Sequence, residues 1–176
     1  MEVYGRVDLR VRSGIATWLW GLPEGYQSRC WVNARDVKLD GELSSLEVVY
    51  PDKVTLPITS NWQAPQNVQA LRAGDTVTIS WDQYVLPLGE RENPNTPQYV
   101  LELWLCQGGQ VAFTPLGSYD PPASEDKPEI LGRAQLRVID EAGCAEPSHG
   151  HIFLAEKHGY VGPVEIPWPP HVAPTP

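Results

Sequence analysis

The chain predicts an all-β fold of two packed sheets, and three observations carry that expectation. Its 176 residues include eighteen prolines and fifteen glycines, a density that breaks helix interiors and favours short strands joined by turns. Between residues 67 and 166, about seven strand-like runs follow one another with turn signals between them, the count a β-sandwich requires. Val7–Val11 and Arg133–Ile139 alternate apolar and polar residues, the period of a strand with one buried face.

Residues 1–49 hold three runs, Val7–Val11, Thr17–Trp20 and Ser28–Val32. Leu22-Pro23-Glu24-Gly25 turns the chain between the last two, with Pro fixing φ and Gly supplying a positive φ. Asp36–Gly41 and Leu43–Val48 suggest a short closing strand and a tail. Residues 50–64 read as a proline-containing linker. Trp62 in that linker either seals the junction between the two units or offers a platform to a ligand.

Within residues 65–168 the expected strands are Asn67–Leu71, Thr76–Asp82, Tyr99–Gln107, Val111–Leu116, Arg133–Ile139, Gly150–Glu156 and Val161–Ile166. Gly108-Gly109 makes a tight hairpin, because paired glycines permit the turns that match strand twist. Leu86–Pro97 and Asp120–Pro128 are polar, proline-bearing loops, and residues 169–176 are a proline-rich extended tail.

A formal net charge of −9 opposes a nucleic-acid partner, since phosphate binding needs clustered Lys and Arg. The charges are mixed along the chain and serve solubility. No run approaches the roughly 18 apolar residues of a membrane span, so no membrane insertion is expected. Met1–Arg12 has alternating charges and no apolar stretch, so no signal peptide is visible there.

Trp18-Leu19-Trp20, Leu22-Pro23-Glu24-Gly25, Cys30-Trp31-Val32 and Val37-Lys38-Leu39-Asp40-Gly41 resemble the C-terminal half of a bacterial SH3-like domain. In that family a tryptophan strand leads through a turn to a strand packed into a small barrel. The usual N-terminal half is missing, so either the barrel is abbreviated or the hairpins pack against the second unit. Ala64-Pro65, Trp81, Tyr99-Val100-Leu101, Ala155 and Gly159-Tyr160-Val161-Gly162-Pro163 resemble, in order, a fibronectin type III domain of about 100 residues. The resemblance implies an immunoglobulin-like β-sandwich with Trp81 in its core. His149 stands where that family keeps a tyrosine near the start of strand F.

Such a sandwich sets strands C and F side by side. It thereby implies that Cys106, at the end of C, and Cys144, in the loop entering F, lie close enough for a disulfide. Two buried free thiols are the alternative. Cys30, the third of three cysteines, is left over, either as a buried thiol of the small barrel or as half of a bridge whose partner belongs to the missing half. A disulfide would place the chain in an oxidising compartment.

Little in the sequence suggests chemistry. His149 and His151 share one face of a strand near Cys144, yet a structural zinc needs four ligands and no C-x₂-C spacing is present. They read as strand-end histidines that satisfy loop carbonyls. No Gly-x-Ser-x-Gly, Walker loop or Gly-x-Gly-x-x-Gly occurs. Ser148 and His149 are strand neighbours that point to opposite faces, and Asp140-Glu141 reads as a solvated turn. No catalytic residue, metal or cofactor is expected.

Trp104 is out of phase with Tyr99, Leu101, Leu103 and Leu105. If the leucines face the core it points outward, either as a binding surface or covered by the N-terminal unit or the proline-rich loops. The expected protein is a non-enzymatic extracellular or cell-surface module that binds and spaces. Its partner would be a protein or a second copy of itself. A carbohydrate-binding accessory module and a structural subunit of a larger assembly are the alternatives.

Overall fold

The computed structural model describes residues 1–11, 14–50, 62–83, 98–118, 132–156 and 159–171. The loops expected at Leu86–Pro97 and Asp120–Pro128, residues 51–61 of the expected linker and residues 172–176 of the expected tail lie outside these residues. Among the described residues ten strands form in chain order: β1 (Glu2–Val11), β2 (Gly14–Leu22), β3 (Cys30–Asn33), β4 (Gln69–Ala73), β5 (Thr76–Asp82), β6 (Tyr99–Gln107), β7 (Gln110–Ser118), β8 (Arg133–Ile139), β9 (His149–Glu156) and β10 (Gly159–Glu165). They make a three-stranded sheet, β4-β5-β8, and a mixed seven-stranded sheet, β10-β9-β6-β7-β1-β2-β3. Among the described residues the only helical pieces are two short 3-10 turns.

The first core fills the space between the two sheets. β5 alternates strictly, sending Val77, Ile79 and Trp81 inward, and β8 contributes Ala134, Leu136 and Val138. They meet Tyr99, Leu101, Leu103 and Leu105 of β6 together with Ile152 and Leu154 of β9. Trp81 and Tyr99 are both fully buried, with ring centroids 5.2 Å apart. Gly150 permits β9 to lie this close, because a Cβ there would stand 2.5 Å from the Leu103 side chain and 2.8 Å from the Glu102 carbonyl.

A second core lies on the opposite face of the same β6. Val100 of β6, Phe153 of β9 and Tyr160 of β10 pack there against Val7, Leu9, Trp20 and Trp31 from β1–β3. The large sheet curls to achieve this: Trp31 of β3 and Tyr160 of β10 belong to its two terminal strands, yet their rings are 5.9 Å apart. Of the two arrangements open to the N-terminal segment, its hairpins therefore pack onto the rest of the chain and share a core with it.

The junction is a parallel contact between β1 and β7, registered at Arg10 and Leu116. Lower on the same edge of β1, Arg6 donates to Glu47 O (2.8 Å) and accepts from Val49 N (2.7 Å). Residues 47–49 thus replace β7 as the neighbour of β1, and Tyr50 then packs edge-on against Phe113 of β7 at 4.8 Å. Gly5 makes room, since a Cβ there would come within 3.0 Å of Val49 and 3.2 Å of Glu47 O.

Several expected boundaries change, three of them for a visible reason. Asp36–Gly41 and Leu43–Val48 form no closing strand; 3-10 turns occur at Ala34–Asp36 and Leu43–Ser45, the first capped by the Asn33 side chain, and only Val48 bridges to β1. β4 begins at Gln69, because Asn67 sits at φ 51 and cannot extend a strand. β1 reaches back to Glu2 across an irregularity between Val3 and Gly5.

Replacing Trp31 by Ala should cost about 3–5 kcal/mol. Because its core is shared, urea unfolding followed by tryptophan fluorescence and by far-UV circular dichroism should give one coincident transition. Two separated transitions would show β1–β3 folding as an independent unit.

Candidate functional site

Two side-chain clusters stand out, a row of rings across the large sheet and a buried carboxylate at one pole. The row centres on Trp104, which β6 places opposite His149 of β9 and Phe113 of β7. His149 stacks on the indole with centroids 4.8 Å apart and 6° between planes. Phe113 tilts against it at 5.0 Å, and His151 meets it edge-on at 5.9 Å. Trp104 is consequently half-buried, with aromatic neighbours on both sides. Such a ring offers little open face on which a sugar could stack. Trp62, the other aromatic singled out from the sequence, is half-buried against the first core.

The fully buried Glu102 lies beside this row, opposite His151 on β9 and Pro115 on β7. Burial first, and then the negative charge of Glu102, push the Tyr160 hydroxyl far above its ordinary range. Tyr50 is also raised, by burial and then by Asp8 and Glu102. Both phenols stay protonated through the neutral range, so neither serves as a base there. His149 directs Nδ1 toward Pro147 O at 3.3 Å, matching the expected contact with a loop carbonyl. Among the described residues no group of three or more His, Cys, Asp or Glu side chains converges as a metal site would require.

The second cluster is a clasp. Asp140, directly after β8, has no solvent exposure. Its carboxylate accepts hydrogen bonds from Cys106 N (2.9 Å), Trp168 Nε1 (2.9 Å), Ser148 Oγ and Arg72. Arg72 projects from β4 and also donates to Asp140 O at 3.0 Å and to Pro169 O at 3.0 and 3.1 Å. One guanidinium thereby ties together the first strand of the small sheet, the turn after β8 and the segment following β10. Burial pushes the Asp140 carboxyl upward, but donation from Ser148, Arg72, Trp168 and Cys106 outweighs it and holds the group below the usual carboxylate range.

The disulfide anchors the same pole. Cys106 and Cys144 are bonded, with Cα atoms 5.8 Å apart, while Cys30, half-buried in β3, lies outside this bond. Glu141 N donates to Cys106 O at 2.9 Å, and Gly108 N donates to the Glu141 carboxylate at 2.6 Å. Ser148 is turned onto Asp140 while His149 stacks on Trp104, so these neighbours form no nucleophile–base pair. His171 stands 3.7 Å from Asp140, which leaves the carboxylate between serine and histidine. A hydrolytic triad needs the histidine in the middle.

The sequence reading missed this clasp. Its available signal was Arg72, which shares the inward phase of Ala70 on a strand and so requires a buried partner.

Comparison of the chain with protein-family models, curated proteins and solved structures finds no match. Among the described residues no helix is long and apolar enough to cross a membrane.

Asp140→Asn should destabilise the fold by about 3–5 kcal/mol, because it leaves a buried guanidinium without its counter-charge. A carboxyl whose folded pKa is depressed stabilises fully above its unfolded pKa, and that contribution fades as pH falls through the folded value. Urea midpoints measured from neutral to acid pH should therefore drop for the parent chain and flatten for Asp140→Asn. Removing the disulfide by Cys106→Ser with Cys144→Ser should cost about 2–4 kcal/mol in the same assay.

Proposed function

We propose that this chain is a non-enzymatic extracellular or cell-surface module that binds and spaces proteins. In this reading residues 65–168 form a fibronectin type III-like, immunoglobulin-like sandwich, and residues 1–49 are an SH3-like segment built onto its larger sheet. The strand order supports the sandwich: β4-β5-β8 facing β10-β9-β6-β7 corresponds to strands A-B-E opposite G-F-C-C′. The disulfide is consistent with an oxidising compartment.

The observation that carries the functional reading is the saturation of Asp140. A buried carboxylate that accepts from Arg72, Trp168, Ser148 and Cys106 has its hydrogen-bonding capacity committed to holding loops and tail in place. Such a group fixes a scaffold. Carbohydrate binding has less support, because it favours coplanar, solvent-facing rings. Among the described residues the exposed large aromatics are Tyr26 and Tyr4, and Arg29 covers the Tyr4 ring at 3.9 Å.

Protease shaving and thiol labelling of intact producing cells test the reading together. The expected result is a chain accessible from outside, in which Cys106 and Cys144 resist alkylation until reduced while Cys30 reacts after unfolding. A chain confined to the cytosol with three alkylatable thiols would overturn it. A glycan array should return no binders; a hit lost in Trp104→Ala would favour the carbohydrate reading.

A further inference from the structure

Among the described residues the two sheets end in four edge strands, β3, β10, β4 and β8. An open edge recruits further strands unless it is short, bulged, charged or interrupted by proline. β3 has only four residues. β10 breaks its register between Val161 and Val164 and contains Pro163. β8 presents the exposed Arg133 and Arg137.

β4 is one residue longer than β3 and has none of the other guards. Its five residues keep an unbroken register on β5 and include no proline. Its one charged residue, Arg72, has a side chain only 8% exposed and engaged with Asp140 and Pro169. Its outer face carries Gln69, Leu71 and Ala73, all exposed, and Leu71 reaches 72%.

The hairpin fixes which backbone groups are available. Gly74-Asp75 is a two-residue turn, with Gly74 at φ +62, and Ala73 pairs with Thr76 across it. In such hairpins the closing pair is hydrogen-bonded, and the pattern then alternates. Gln69, Leu71 and Ala73 therefore direct N–H and C=O toward β5, whereas Ala70 and Arg72 direct theirs outward. Among the described residues no backbone hydrogen bond outside the ladder reaches either one.

We propose that β4 pairs antiparallel with β4 of a second copy of this chain, about a twofold axis at Leu71, fusing the two small sheets into one. In this register Ala70 and Arg72 exchange hydrogen bonds with the partner's Arg72 and the partner's Ala70. Leu71 meets the partner's Leu71 as a non-hydrogen-bonded pair, the type in which side chains approach most closely. Gln69 faces the partner's Ala73, so no like charges oppose one another. A patch that complements itself in this way is what a twofold interface requires.

Two such short strands bury less than the roughly 1,200 Å² of a stable interface, so the association is weak. The net charge of −9 on each copy opposes it at long range, and added salt strengthens it. The inference rests on the fold alone and stands apart from the binding-module reading.

Sedimentation equilibrium of the full chain between about 10 μM and about 1 mM tests it. The average mass should climb from the monomer value toward twice that value, and Leu71→Lys should weaken association by about tenfold or more. Gln69→Lys combined with Ala73→Lys should do the same. Gln69→Lys combined with Ala73→Glu should preserve the dimer, because opposite charges then face each other across the axis. All these positions are exposed, so the monomer fold is kept. Amide exchange at Ala70 and Arg72 should slow as concentration rises. A monomer throughout the range, a dimer indifferent to these changes, or one whose Ala70 and Arg72 amides exchange unaltered would overturn the proposal.

Discussion

β6 has almost no solvent face, and the rest of the molecule follows from that constraint. Its odd-numbered residues, Tyr99 through Leu105, enter the core shared with the small sheet, while Val100 enters the core built with β1–β3. A strand buried on both faces reads as a nearly continuous apolar run, as the run from Tyr99 to Cys106 does apart from Glu102. The small sheet can cover only one side. The N-terminal hairpins are needed to cover the other, which accounts for the curl that brings Trp31 to Tyr160.

The polar groups inside this frame are placed at its ends. At one pole Asp140 gathers donors from four separate parts of the chain, and the disulfide closes the adjoining loop. A buried ion pair contributes little net stability against an apolar substitute, because desolvation offsets much of its attraction. Its value here lies in geometry. Arg72 can satisfy Asp140 and Pro169 together only when β4, the turn after β8 and the tail occupy one arrangement.

Local pattern was a good guide where a strand's burial is decided by its own alternation. The limits read for Thr76–Asp82, Tyr99–Gln107 and Arg133–Ile139 coincide with β5, β6 and β8. It failed where distant contacts decide. Nothing in Val7–Val11 announces a parallel partner at Leu116, and the polar alternation of Asp36–Gly41 resembles a strand although Asp36 ends a 3-10 turn and the residues after it join no ladder. The leucine phase of β6 correctly turned Trp104 away from the first core. Which rings would flank it depended on the registers of β7 and β9, which no local signal sets. The Asp140 cluster joins residues up to 97 positions apart, counting the contact of Arg72 with Pro169, a separation beyond the reach of any short motif.

The position of Trp168 and Pro169 bears on how the molecule carries load. Both lie shortly after β10, which ends at Glu165, and are fastened to Asp140 and Arg72. A pull on the chain beyond them meets those polar contacts before it can peel β10 from β9. Mechanical resistance at this terminus therefore resides in a compact knot of charge and indole, with the strand ladder held in reserve behind it.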